Sequence, residues 1–456
     1  MTSRFSSHFT GQKLRARAMR GFVVVLAGTG GNRVLRLISS LLLTRILFPE
    51  AFGLMAIISV VMGGLQMFSD IGIRASIVQS KHGADRDFLN TAWTIQIIRG
   101  LILSLICLAI AQPLADFYEE PMLAALMPIM AIGPLMSGFA STKIATADRE
   151  LRQEKLVAIT LITQVLGIIV TVALALWTQS VFALAIGGQI NTAMFLLGTH
   201  FLLPGPSNRL SWNKVYAREL ISFGKFVFLS TLSSFILGRS DMAILGVYLS
   251  IATLGIFNIG YMVGSLPLQV LKPLSHRVVF PLYSRRPPYE NESNRKNMRR
   301  VRRLVVAGGL FLTAIFAFLG VFLIDLLFDP RYALAGPIVS TVAFAIVPLI
   351  VIEGYEAALL SAGDSRRSFY LKGSTAICQL TFLFAGLTFF GLFGAILAPG
   401  IAALTTYPLL VKFVKRYDVW DPIADFSYLA AGLALTMFGC YRNWEDFKPL
   451  FDLSSL

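Results

Sequence analysis

Cysteine and histidine are scarce in this chain of 456 residues, with three and four copies. Cys107, Cys378 and Cys440 stand singly in apolar segments and the histidines are far apart, so neither a disulfide framework nor a metal site follows. Nucleotide signatures are missing as well. No Gly-x-x-x-x-Gly-Lys-[Ser/Thr] occurs, and in Gly28-Thr-Gly-Gly31 the place of a third fingerprint glycine is held by Arg33 with no strand ahead of it. ATP is therefore not expected to drive this protein directly. Acidic residues are few, 25 against 40 Lys and Arg, which leaves a formal charge of +15.

What the chain has instead is apolar length. It is 55% hydrophobic and 14% charged. Runs such as 156–177 and 304–328 reach or exceed the roughly 20 residues a helix needs to cross about 30 Å of hydrocarbon. Twelve spans are predicted, at about 21–46, 51–71, 90–112, 122–142, 156–177, 180–203, 220–239, 242–268, 303–327, 333–361, 370–390 and 391–414, with a short thirteenth apolar stretch at 425–441. The expected fold class is an all-α integral membrane protein.

Basic residues fall in every second gap between these spans. The alternate gaps hold Arg45, Arg239 and Arg331 alone, beside Asp116, Glu119, Glu120, Asp325 and Asp329. The positive-inside rule then places the amino terminus and the basic gaps in the cytoplasm. Dispersal of the charge over seven loops also argues against a nucleic-acid partner. Residues 1–20 precede an apolar run but show no small-residue cleavage site, so the first segment reads as a retained span. The longest loop, 272–303, carries ten basic residues and reads as a topological anchor that also suits anionic headgroups.

The chain repeats itself. At an offset of 202, Leu47 falls on Leu249 and Gly53 on Gly255; further on, Asp116 meets Asp325, Pro121 meets Pro330, and 181–190 matches 392–401. The duplication predicts two parallel six-helix lobes, 21–203 and 220–416, related by a pseudo-two-fold along the membrane normal, with a linker at 204–219 and a terminal segment at 417–456. Such a layout belongs to transporters that bind substrate between repeats and work by alternating access.

Ionisable residues inside spans are costly and mark polar pathways. On the first span Asn32, Arg33 and Arg36 share one face, with Arg45 at the outer edge; Arg99 lies in the third. Asp70 and Arg74 follow the second span and read either as an ion pair or as separate groups, with Arg74, like Lys225, also able to snorkel. Glu353 and Glu356 in the tenth either pair with an arginine or serve as a proton site. A chamber rich in arginine predicts an anionic substrate, because guanidinium grips phosphate through two parallel hydrogen bonds.

Leu43-Thr-Arg-Ile-Leu-Phe-Pro-Glu-Ala-Phe-Gly53, with Phe68-Ser-Asp-Ile-Gly-Ile-Arg74 and Ile77-Val-Gln79, resembles the opening of polysaccharide-transport flippases. These form the exopolysaccharide and O-antigen (Wzx-type) branch of the multidrug/oligosaccharidyl-lipid/polysaccharide exporter superfamily. The resemblance implies a V-shaped pair of six-helix lobes that moves undecaprenyl-pyrophosphate-linked oligosaccharide from the inner to the outer leaflet. It implies a cationic cavity, here Arg33, Arg36 and Arg99, with Arg45, Asp70 and Arg74 matching the opening motif. It implies no cofactor beyond coupling to a proton or sodium gradient, for which Glu353 and Glu356 are the best-placed residues, and it admits polysaccharide polymerase machinery as a partner. Many relatives carry fourteen spans, so a lipid groove built from two further helices is in doubt here. A cation-coupled drug exporter of the same superfamily would favour acidic residues in the first six spans, where this chain offers arginines and Asp70. A membrane polymerase or ligase would be expected to carry a large extracytoplasmic loop, and the gaps on that face are short.

Overall fold

The structure, a computed structural model, describes residues 11–70, 72–150, 152–275, 279–285 and 287–451. The first half contains α1 (Gly11–Ile46), α2 (Pro49–Phe68), α3 (Ile73–Gln79), α4 (Arg86–Ala109), α5 (Ala111–Phe117), α6 (Pro121–Gly138), α7 (Lys143–Arg149), α8 (Glu154–Thr178) and α9 (Phe182–Phe201). The second contains α10 (Lys214–Tyr248), α11 (Ile251–Gly264), α12 (Leu266–Leu274), α13 (Phe280–Arg285), α14 (Glu292–Leu327), α15 (Ala335–Ala345), α16 (Val347–Val351), α17 (Tyr355–Ser361), α18 (Ser365–Val414), α19 (Pro422–Arg442) and α20 (Trp444–Phe447). Among the described residues nine helical stretches are long and apolar enough to cross a membrane, or ten if the bent pair α11 and α12 is one span. The protein is a multi-pass membrane protein. The basic segment before Gly11 and the side chain of Lys225 lie outside the described residues.

Helix starts follow local chemistry. Pro49, Pro121 and Pro422 open α2, α6 and α19, where a missing N–H costs nothing. Ser250 and Asn291 cap α11 and α14 by accepting from the N–H groups of Thr253 (3.2 Å) and Asn294 (2.8 Å). Gly391, at φ 61°, breaks the 50-residue α18.

Two sequence boundaries are corrected. The seventh span does not stop at 239: α10 runs unbroken to Tyr248, so Arg239 sits within a helix rather than in a gap. The cause is that Gly238, Arg239, Ser240 and Asp241 look like a loop by composition, yet the helix continues through them. The true break, at Leu249 and Ser250, stands 202 residues after the one between α1 and α2. The thirteenth stretch is longer than its apolar core: α19 has 21 residues, enough for about 31 Å of helix.

Contacts divide the chain into two compact units, one of Met1–Leu47 with Val61–Thr231, the other of Phe48–Val60 with Leu232–Leu456. Within the second, α2 and α11 cross at a reciprocal glycine contact. A Cβ on Gly53 would lie 1.9 Å from the Ile251 carbonyl oxygen, and one on Gly255 would lie 1.9 Å from that of Pro49. Residues 49 and 53 pair with 251 and 255 at the repeat offset, so each segment offers its partner the same surface, as a local two-fold requires. Only glycine permits backbones this close.

The basic gaps also cap helices. Carbonyls at a helix C-terminus lack partners and carry partial negative charge, so cations settle there. Lys143 Nζ donates to the His200 carbonyl at the end of α9 (2.7 Å), and Arg149 to the carbonyls of Ile77 (2.8 Å) and Ser80 (2.6 Å) at the end of α3. At the end of α6, Trp93 Nε1 donates to the Phe139 carbonyl (3.2 Å). At an offset of 209, Trp93 falls on Arg302, which donates to the Val351 carbonyl at the end of α16 (2.5 Å).

Arg302 brings a charge that Trp93 does not, and α19 neutralises it. Its guanidinium is 2.7 Å from Asp425 Oδ1, with both side chains 3% exposed, and lies over the Tyr355 ring at 3.7 Å. The hydroxyls of Tyr355 and Tyr407 each donate to Asp425 Oδ2 at 2.7 Å. One turn away, Arg303 donates twice to Asp421 (2.7 and 3.0 Å) and Arg299 reaches the Trp420 carbonyl (2.5 Å). Burial raises the Asp421 carboxyl, but the hydrogen bond and charge of Arg303 outweigh it and hold it below its ordinary range. These three arginines, expected in the loop 272–303, stand instead on α14, which begins at Glu292, and they dock α19.

Candidate functional site

The polar face of α1 is the strongest site feature. Thr29, Arg33, Arg36, Ser40 and Thr44 follow at steps of four, three, four and four, which keeps them on one side of a 3.6-residue helix, with Asn32 beside them. Val34, Ile38 and Leu42 form an exposed apolar stripe on another side. Toward its amino-terminal end the apolar side of α1 packs on α8, where Gly28 meets Val157 and Gly31 meets Leu161. α1 therefore sets a polar face against an apolar side that meets α8 early and is exposed further along. Arg33 is half-buried and Arg36 exposed, and the two guanidinium groups are close enough to repel one another. Adjacent like charges held by one rigid helix favour an anion between or beside them.

Not every predicted residue joins this face. Arg45 follows Arg36 by nine residues, two and a half turns, and so lies on the opposite side of α1. Arg99 is turned to the end of α2: its guanidinium donates to the Gln66 carbonyl (2.7 Å) and to Ser69 Oγ (3.0 Å). Asp70 and Arg74 do not pair with each other. Asp70 Oδ1 accepts from the Gly72 N–H (2.9 Å), making the turn after α2, and Arg74 pairs with Asp148 on α7. The Phe68 to Arg74 motif is therefore a structural corner; Gly72, at φ 64°, forces the chain away before Arg74 can face Asp70.

Glu353 and Glu356 do not share a helical face, because Gly354, at φ 90°, separates α16 from α17 between them. The Glu353 carbonyl accepts from Arg302 (3.4 Å), while Glu356 holds Lys372 (2.5 Å) and Ser368 Oγ (3.1 Å).

One carboxylate escaped the sequence reading. Asp241 lies inside α10, 9% exposed, and accepts a hydrogen bond from the N–H of Met242 (2.8 Å). Among the described residues no salt bridge reaches it, although Arg239 and Tyr261 are within electrostatic range. Next to it the Ser240 hydroxyl is buried with no hydrogen-bond partner among the described residues. The repeat offset held the missing signal: the end of α1 at Ile46, carried forward by 202, puts the end of α10 at Tyr248 and Asp241 two turns within the helix.

Comparison with known proteins gives a consistent picture. A family model described as polysaccharide biosynthesis protein matches residues 42–337. The teichuronic acid biosynthesis protein TuaB of Bacillus subtilis (strain 168) is 21% identical over 395 residues, covering 84% of this chain and 80% of that one. The succinoglycan biosynthesis transport protein ExoT of Rhizobium meliloti (strain 1021) is 26% identical over 263 residues, 57% of this chain and 52% of that one. Among solved structures, the lipid II flippase MurJ in an inward closed conformation superposes with a TM-score of 0.68 at 13% identity, covering 93% of this chain and 99% of that one. This last likeness concerns the fold.

Proposed function

Because the chain belongs to the polysaccharide biosynthesis protein family, we propose that it is a flippase for undecaprenyl-pyrophosphate-linked oligosaccharide in the bacterial inner membrane. The observation that carries this reading is the polar face of α1, where Arg33 and Arg36 stand one turn apart on a helix whose other faces are apolar or packed. A pyrophosphate crossing hydrocarbon needs fixed cations, and guanidinium offers paired hydrogen bonds that strengthen away from water. The sugar asks only for hydroxyl and amide partners, and the half-buried Thr29 and Asn32 beside the arginines are of that kind. In this reading the amino terminus is cytoplasmic, twelve spans form two six-helix lobes, and α19 is an added helix on the second.

The decisive experiment quantifies lipid-linked oligosaccharide on each leaflet after deletion of the protein. Accumulation on the cytoplasmic leaflet, reversed by the wild-type chain, is the expected result. Absence of accumulation refutes the flippase and returns a cation-coupled exporter or a membrane polymerase to consideration.

Coupling to an ion gradient is assigned in this proposal to Asp241, since Glu356 is held by Lys372 while Asp241 is buried without a salt bridge among the described residues. A carboxylate in such surroundings gains most from binding a proton or a cation. Asp241→Asn is expected to leave the protein folded and to remove the dependence of export on the gradient. Export that still collapses with an uncoupler in this variant counts against the assignment.

A further inference from the structure

We propose that α19 crosses the membrane beside α14 and that residues 444–451, which follow it, form an extracytoplasmic clasp locking the turn between the two halves of α18. The side follows from the orientation proposed above, on which it rests, while the clasp follows from contacts within the second unit. α19 keeps register with α14 along its length. Asp425 pairs with Arg302, a Cβ on Gly432 would lie 3.0 Å from the Leu310 side chain, and one on Gly439 would lie 2.9 Å from the Ala317 carbonyl oxygen. Steps of seven and seven on α19 thus match steps of eight and seven on α14, so the two helices run side by side in the same direction. The rings of Phe318 and Phe438 meet at 5.8 Å toward the end of the series. Both helices are long and apolar enough to span, and α14 carries its arginines at its start. A helix parallel to it must end on the side away from them.

Beyond Arg442 the chain folds onto the break in α18. Phe447 and Leu450 are fully buried, and the Phe451 ring stacks on that of Phe393 at 4.6 Å and meets that of Trp444 at 5.7 Å. A Cβ on Gly391 would lie 2.8 Å from the carbonyl oxygens of both Leu450 and Phe451. The positive φ of Gly391 turns α18, and its missing side chain admits the clasp. Beneath the turn the two halves close on each other: a Cβ on Gly386 would lie 2.4 Å from the Gly394 carbonyl oxygen, and one on Gly394 would lie 2.3 Å from that of Gly386. The first copy builds the same hairpin without a clasp. At the offset that matches 181–190 with 392–401, Gly386 and Gly394 fall on the buried Ala175 and Ala183, and Gly391 falls on Ser180. Gln179, at φ 48°, makes the turn there, and residues 176–179 are all exposed. Small residues serve the hairpin in both copies; a glycine at a buried turn occurs where residues 444–451 are seated.

The test uses the full chain with its three cysteines replaced, in spheroplasts treated with a membrane-impermeant maleimide. Glu445→Cys and Lys296→Cys, at side chains 81% and 74% exposed, each add one thiol. Glu445→Cys is expected to react in intact spheroplasts and Lys296→Cys only after lysis. Reaction of both from one side overturns the crossing. The reverse order keeps the crossing but overturns the assigned side, and with it the orientation in the flippase reading. The clasp is read separately by hydrogen exchange in nanodiscs, without substrate. Amides of residues 388–394 should exchange at least about tenfold faster in Leu450→Asp than in the wild type, while those of 176–182 stay unchanged. Equal exchange at 388–394 in the two proteins overturns the clasp. If Leu450→Asp does not fold, Phe451→Ala, which removes only the ring stacked on Phe393, is read in its place; a smaller rise is expected, and no rise overturns the clasp.

Discussion

Asp425→Ala is expected to lower the thermal stability of the purified protein more than any other single change among the contacts that hold α19, by about 3–5 kcal/mol. Removal of the carboxylate strands the buried Arg302 guanidinium beside the Tyr355 ring and leaves the hydroxyls of Tyr355 and Tyr407 without their acceptor. A buried charge without its counterion costs far more than an exposed pair returns. Lys296 and Glu292, 74% and 64% exposed, provide the internal comparison, and Lys296→Ala should cost at most about 1 kcal/mol. Thermal unfolding of the detergent-solubilised protein reads both. The joint change Arg302→Met with Asp425→Leu should be milder than Asp425→Ala, since it removes both charges and restores apolar volume. Equal melting of the wild type and Asp425→Ala would show that α19 is not held by this cluster.

Arg33→Gln combined with Arg36→Gln is expected to reduce export by about 100-fold or more. Each charge-assisted hydrogen-bonding group contributes roughly 1.5–3 kcal/mol to anion binding, and 1.4 kcal/mol is a factor of ten. The change keeps helix propensity and most of the side-chain volume, so the protein should insert and melt as the wild type does. Arg36→Lys should recover only part of the loss, since an ammonium lacks the planar fork that meets phosphate oxygens in pairs. Arg45→Gln is the control: it stands on the opposite side of α1 from Arg36 and should export nearly normally. Leaflet-resolved measurement of the lipid-linked oligosaccharide separates the outcomes. Equal loss from Arg45→Gln and the double change would mean that net charge, not the polar face, sets the rate.

The sequence by itself determined that the chain is a helical membrane protein, because apolar length and the alternation of basic gaps are local properties that no partner can alter. It also located Arg33, Arg36 and Asn32 on one face of α1, since helical period alone fixes which residues are neighbours. The family followed from the Leu43 to Arg74 motif, yet the role of that motif did not. Asp70 and Arg74 are close in sequence, but a positive φ at Gly72 turns them apart, and Arg74 finds its partner 74 residues onward at Asp148.

The remaining features depend on contacts between segments far apart in the chain. Asp241 was hidden because polar residues inside a buried helix and polar residues in a loop look alike until a break is located. Arg302 and Asp425 are separated by 123 residues and read as a loop cation and the edge of a short apolar stretch; folding brings them together as an ion pair buried on both sides. Gly53 and Gly255 show the same limit. The offset paired them in sequence, but their contact depends on where α2 and α11 cross, and that is set by the packing of whole helices rather than by either segment.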